Sequence, residues 1–105
     1  MLVNNFLLYE GIFLFGGKKF NGKCSNELKM IDTERSPLRW IKPKTKGMPP
    51  SARCHHSMSF IASESFLVIY GGCTDDPVAL SGKEKGFLSD IYILNLLDMN
   101  WLQVE

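Results

Sequence analysis

Three potential metal ligands stand in a row at Cys54-His55-His56, and Cys24 or Cys73 could complete the four-ligand tetrahedron that zinc prefers. Successive residues of a strand point to opposite faces, however, which works against three neighbours meeting on one ion. No metal or other cofactor is therefore expected, and Cys54 reads as a small apolar filler. Ser57 adjoins His56, but a nucleophilic serine needs a base in geometry and an orienting third group, and no Gly-x-Ser-x-Gly turn surrounds any serine. The carboxylates Asp75 and Asp76 lie in a loop that they would solvate, and Gly16-Gly17-Lys18-Lys19 lacks the spacing of a phosphate-cradling loop. No catalytic residue is assigned, and the chain is not expected to be an enzyme.

Composition narrows the classes further. The chain has 105 residues, 45% of them hydrophobic and 22% charged, as in an ordinary globular domain. Its net charge of +1 argues for neither nucleic acid nor membrane. That charge is unevenly spread: residues 18–53 hold ten of the twelve Lys/Arg against three acids, so one stretch is basic and the remainder acidic. Such asymmetry marks either a solvated surface or a binding face. Three cysteines without a CxxC spacing fit a reducing compartment rather than a disulfide framework. The apolar first fifteen residues lack a basic leader and a cleavage site, and no run approaches the roughly 18 residues of a membrane span. A soluble, cytoplasmic protein is expected.

The elements that would position these residues recur. Gly11-Ile-Phe-Leu-Phe-Gly-Gly17 aligns with Phe66-Leu-Val-Ile-Tyr-Gly-Gly72, Ser25–Asp32 with Leu88–Asn95, and Arg39-Trp40-Ile41 with Asn100-Trp101-Leu102. The runs are short, rich in β-branched and aromatic residues, and bounded by turn formers such as Asn21-Gly22 and Pro49-Pro50. Strands are predicted at about 2–7, 11–16, 25–32 and 39–43, then at about 54–61, 66–71, 88–96 and 100–104. A helix over Leu88–Leu97 is the competing reading of that segment, and its glycine-rich flank favours strand. Four short antiparallel strands recurring at about 50 residues is the pattern of a propeller blade.

At Gly16-Gly17, Glu27-Leu28, Trp40, Pro50-Ser-Ala-Arg53, His56, Gly71-Gly72, Asp90-Ile91 and Trp101, the sequence resembles the kelch-repeat family. The resemblance covers nearly the whole chain. It implies an all-β fold of two four-stranded antiparallel kelch-type blades in an incomplete β-propeller, with repeat one at 1–49 and repeat two at 50–105. It implies structural roles for Gly16, Gly17, Trp40, Arg53, His56, Gly71, Gly72 and Trp101 at blade contacts. The first unit lacks the Pro-x-x-Arg-x-x-His approach that precedes the second. Of the two tryptophans, Trp40 is expected to be the better covered and Trp101 half exposed.

Kelch propellers use loops to hold proteins, so the resemblance implies a protein partner. Candidate contacts are Lys18, Lys19 and Phe20 in the first strand 2–3 loop, Lys44 and Lys46 in the inter-repeat linker, and Asp75, Asp76 and Lys83 in the second strand 2–3 loop. These loops are expected on one face. Nucleic acid is not expected, because the basic loops lack interleaved aromatics beyond Phe20. The competing function is a fragment of a copper oxidase of the galactose-oxidase type, whose propeller is also kelch-like. Propellers close with four to eight blades. Two alone would expose apolar faces, so further repeats or self-association are expected.

Overall fold

The computed structural model describes residues 2–3, 6–7, 11–81 and 86–105. Backbone pairing joins β1 (Leu2–Val3) to β2 (Phe6–Leu7) in a two-stranded sheet. A second sheet has the order β3 (Gly11–Phe15), β4 (Leu28–Asp32), β5 (Arg39–Ile41). A third has the order β6 (Ser57–Ile61), β7 (Phe66–Thr74), β8 (Gly86–Asn95), β9 (Asn100–Val104). Every named strand pair is antiparallel, and β8 occupies the segment for which a helix competed. Among the described residues no helix is long and apolar enough to cross a membrane.

The second unit is four-stranded, as the repeat predicts. The first corrects the expectation: among the described residues its main sheet has three strands, and the segment read as one strand at 2–7 is divided between β1 and β2 in a separate sheet. Leu2 pairs with Leu7 and Val3 with Phe6. An apolar cleft of about 430 Å³ opens beside β3 and β6, lined by Gly11, Phe13, Met58, Phe60, Leu67 and Leu96 among others.

Alternation within each strand decides what is buried. Phe15 and Leu28 from the first three-stranded sheet meet Leu67, Ile69, Leu94, Leu96, Met99 and Trp101 from the four-stranded sheet in one core, with Phe13, Met58 and Tyr92 packed against it. The core is thus the seam between the two units. The reverse faces are open. Ile12, Ile31 and Trp40 pair across β3, β4 and β5 on the outer face of the first unit, and Val68, Ile93 and Leu102 do the same on that of the second.

That seam reverses the expectation for the tryptophans. Trp101 is only 3% exposed, with its ring edge-on to Phe15 of the preceding unit at 5.5 Å between centroids. Trp40 is 60% exposed, because the equivalent face of its sheet looks away from the core. Each tryptophan faces backward along the chain, so Trp101 has a neighbour to pack on. Trp101→Ala should lower unfolding free energy by about 3–5 kcal/mol, whereas Trp40→Ala should change it by no more than about 0.5 kcal/mol. Urea titrations of the two variants, followed by circular dichroism, check this order; equal losses would contradict the seam.

Candidate functional site

The first Gly-Gly corner, the approach to the second unit and the second Gly-Gly corner are stitched into one layer by main-chain bonds. Gly17 N–H donates to the Arg53 carbonyl (2.8 Å), Arg53 N–H to Ser25 (3.0 Å), and Ser25 N–H to Gly17 (2.8 Å). Cys54 and Cys73 exchange N–H···O bonds of 2.9 and 2.8 Å. The glycines permit this close approach. A Cβ on Gly16 would lie 2.7 Å from the Arg53 carbonyl oxygen, and one on Gly72 would lie 2.6 Å from that of Cys54. Both also hold positive φ, 71° and 92°, which side chains disfavour. Gly17 and Gly71 share that backbone region, so all four glycines sit at the corners where the repeat placed them.

Arg53 lies within this layer at 0% exposure. Its five N–H donors find five partners: Nε donates to the Ser51 carbonyl, Nη1 to the Gly71 carbonyl and Asp90, and Nη2 to the Ser51 hydroxyl and Asp90. The fork to the Asp90 carboxylate is bidentate at 2.6 and 3.0 Å, and the guanidinium carbon stands 5.7 Å from the Tyr92 ring centre. A buried cation is tolerated only when it is so fully paired. His56 follows, edge-on to Phe15 at 5.6 Å. Burial above all, with Arg53 and His55 adding, holds its pKa below the usual value, while a bond with the Phe15 backbone works the other way. Arg53 and His56 are therefore parts of the seam.

The first strand 2–3 loop lies against the described part of the second, residues 75–81. Residues 18–24 form a tight turn in which Lys19 N–H bonds the Lys23 carbonyl, Gly22 N–H bonds that of Lys19, and Lys23 N–H bonds the Asn21 side chain. Phe20 projects fully exposed from its tip, flanked by exposed Lys18, Lys19 and Lys23. An open cleft of about 490 Å³ runs past Lys18, Lys19 and Phe20 to Lys29 and Trp40. Across the seam, the Asp75 carboxylate accepts the Cys24 N–H through both oxygens at 3.0 and 3.3 Å, joining the two loops. Asp76 accepts the Val78 N–H as the cap of α1 (Pro77–Leu80). Of the two acids that were candidate contacts, Asp75 thus ties the two loops together and Asp76 caps a turn of its own. The helix was missed, although Asp76-Pro77, a capping residue followed by proline at the first helical position, is its signal. Lys83 lies outside the described residues.

The linker divides between two ends of the molecule. Arg53 and Cys54 stand at the Gly-Gly end, but the Lys46 backbone bonds Met99 and Trp101, at the far end of the four-stranded sheet. Lys46 is thus held away from Lys18 and Lys19, contrary to the expectation of one face for all the candidate loops. Neighbouring Lys44 is exposed.

The structure also brings together what strand alternation was expected to keep apart. Cys54 Sγ lies 3.4 Å from Cys24 Sγ and 3.6 Å from Cys73 Sγ. Ligand atoms of Cys54, His55 and Cys73 all lie within 4.8 Å of one another. The physical reason is local: His55 has φ 61°, so the chain leaves the extended conformation there and alternation fails. Burial first, then the neighbouring thiols of Cys24 and Cys73, push the Cys54 pKa up to about 12. His56 is turned instead toward Phe15.

Comparison with known proteins follows the same lines. A family profile described as the KLHDC2/KLHL20/DRC7 Kelch-repeats domain matches residues 6–105. Human host cell factor 1 is 33% identical over 87 residues, which is 81% of this chain and 4% of that protein. A rat Rab9 effector protein with kelch motifs is 32% identical over 65 residues, 62% of this chain and 17% of the relative. The Rho GTPase-activating protein gacHH of Dictyostelium discoideum is 31% identical over 90 residues, 86% of this chain and 5% of the relative. The chain therefore spans a small fraction of the length of these relatives. With two Gly-Gly corners, a buried arginine on the approach to the second and a tryptophan in the seam, this chain belongs to the kelch-repeat family.

Proposed function

We propose that the chain is a non-catalytic protein-binding module that takes an acidic segment of a partner on the strand 2–3 loops. One observation carries the reading: Phe20 stands fully exposed at the tip of a hydrogen-bonded basic turn. A large aromatic held in water has little to gain from the fold itself, and an aromatic anchor ringed by cations suits a hot spot. Because the turn is already ordered by its own bonds and by Asp75 across the seam, little conformational freedom would be lost on binding. The likeness to a protein named as a Rab9 effector supports a protein partner. Three unpaired thiols suit a cytoplasmic setting. In this reading the two units are consecutive blades of a propeller, and further blades cover Trp40 on one side and Leu102 on the other.

The test uses binders selected from an acidic-peptide display library and titrated against the chain. Phe20→Ala should weaken them, and joint Lys18→Glu and Lys19→Glu should weaken them by roughly tenfold or more at low salt. The charge effect should shrink as salt shortens screening to about 8–10 Å. Lys44→Glu with Lys46→Glu, toward the other end of the linker, should leave binding within about twofold. A loss as large from the Lys44/Lys46 pair as from the Lys18/Lys19 pair would refute the assignment of the binding face.

A further inference from the structure

Three separate segments bring every cysteine of the chain around Cys54. Cys24 comes from the base of the first strand 2–3 loop, Cys54 from the approach to the second unit, and Cys73 from just beyond the second Gly-Gly corner. The backbone at each is tied: Cys54 and Cys73 to each other, Cys24 to Asp75. His55, in the left-handed backbone region, brings a ring nitrogen to within 4.8 Å of the Cys54 and Cys73 sulfurs, and Cys24 approaches the group through Cys54, sulfur to sulfur at 3.4 Å. We propose that Cys24, Cys54, Cys73 and His55 form a tetrahedral site for a single zinc ion that clips the first unit to the second.

The dimensions suit such a site. Zinc–sulfur bonds of about 2.3 Å in a tetrahedron put sulfurs about 3.8 Å apart. The sulfurs of Cys24 and Cys73 stand 3.4 and 3.6 Å from that of Cys54, within a few tenths of an ångström of this spacing. Cys24, however, lies outside the set whose ligand atoms are all within 4.8 Å of one another and has the farthest to move. Four protein ligands close the coordination sphere, which is the structural rather than the catalytic form. Exposed His55 and partly exposed Cys73 leave a path for entry, while Cys24 and Cys54 are buried. On binding, each thiol releases its proton to water as its sulfur bonds the ion, and the neutral imidazole donates a lone pair. The same thiols could instead form a disulfide, but one bridge would leave the third sulfur and the imidazole unused. The ion would fix the bases of both strand 2–3 loops.

The experiment titrates the reduced, metal-free 105-residue chain with cobalt(II), displaces cobalt with zinc, and then measures urea midpoints with and without zinc. Expected are one ion per chain, thiolate-to-cobalt charge transfer with tetrahedral visible bands, and a zinc-dependent rise of the midpoint. Cys54→Ser should abolish the bands. His55→Asn, at an exposed position whose backbone asparagine tolerates, should keep the fold and weaken affinity by about 10–100-fold or more. Metal uptake that His55→Asn and Cys54→Ser leave unchanged would overturn the site. So would zinc that binds without raising the midpoint, or a reduced chain that takes up no metal and simply forms a Cys54 disulfide in air.

Discussion

Arg53 is the hinge pin of this structure. Its side chain belongs to the second unit, where Asp90, Gly71 and Ser51 use all five of its donors, and its main chain belongs to the first, through Gly17 and Ser25. A guanidinium with no access to water is strongly unfavourable unless every donor is matched, so its surroundings can be arranged in very few ways. Fixing it fixes the path of residues 51–54, and with that path go the seam histidine, the cysteine pairings and the position of the second Gly-Gly corner. Asp90 keeps 24% of its side chain exposed, so the carboxylate is less completely stripped of water than its partner.

The apolar seam and the polar layer divide the work by end. Between the facing sheets, Phe15, Leu28, Leu67, Ile69, Leu94 and Trp101 exclude water from the seam. At the Gly-Gly end, backbone bonds and the Arg53 fork take over, because the chain crosses there from one unit to the next and strand pairing cannot satisfy it. The glycines mark the change. With a side chain at Gly16 or Gly72 the carbonyls of Arg53 and Cys54 would have to retreat and the layer would open. The turn that carries Phe20 and the segment that carries Asp75 grow directly from this layer, which ties them down although they lie at the surface.

Much of this was legible in the residues. The doubled glycines, the alternation of Phe66–Tyr70 and the spacing to tryptophan gave the repeat, the strand order of the second unit and the corner positions. Three things were not legible, each for a physical reason. The direction in which a tryptophan faces depends on which neighbour its sheet has, and a single strand does not record that; hence the reversal of Trp40 and Trp101. Residues 2–7 read as one strand because apolar pairs stand at both ends, but Leu2 pairs with Leu7 and Val3 with Phe6, which makes two short strands. The gathering of Cys54, His55 and Cys73 escaped a reading based on alternation, since one residue in the left-handed region at His55 cancels alternation locally. Phe20 was visible as a loop residue, whereas its complete exposure needed the turn around it.

The account rests on Arg53 and Asp90 acting as one unit, and a double-mutant cycle in urea measures that coupling directly. Arg53→Met, Asp90→Leu and the double variant would each be unfolded alongside the parent chain, with circular dichroism reporting the midpoint. Removing Asp90 alone leaves the Arg53 charge buried without its counter-ion and should cost about 3–5 kcal/mol, while removing both should cost clearly less than the sum of the single changes. Additive losses would mean that the two residues stabilise the fold independently, and the seam would then not depend on their pairing.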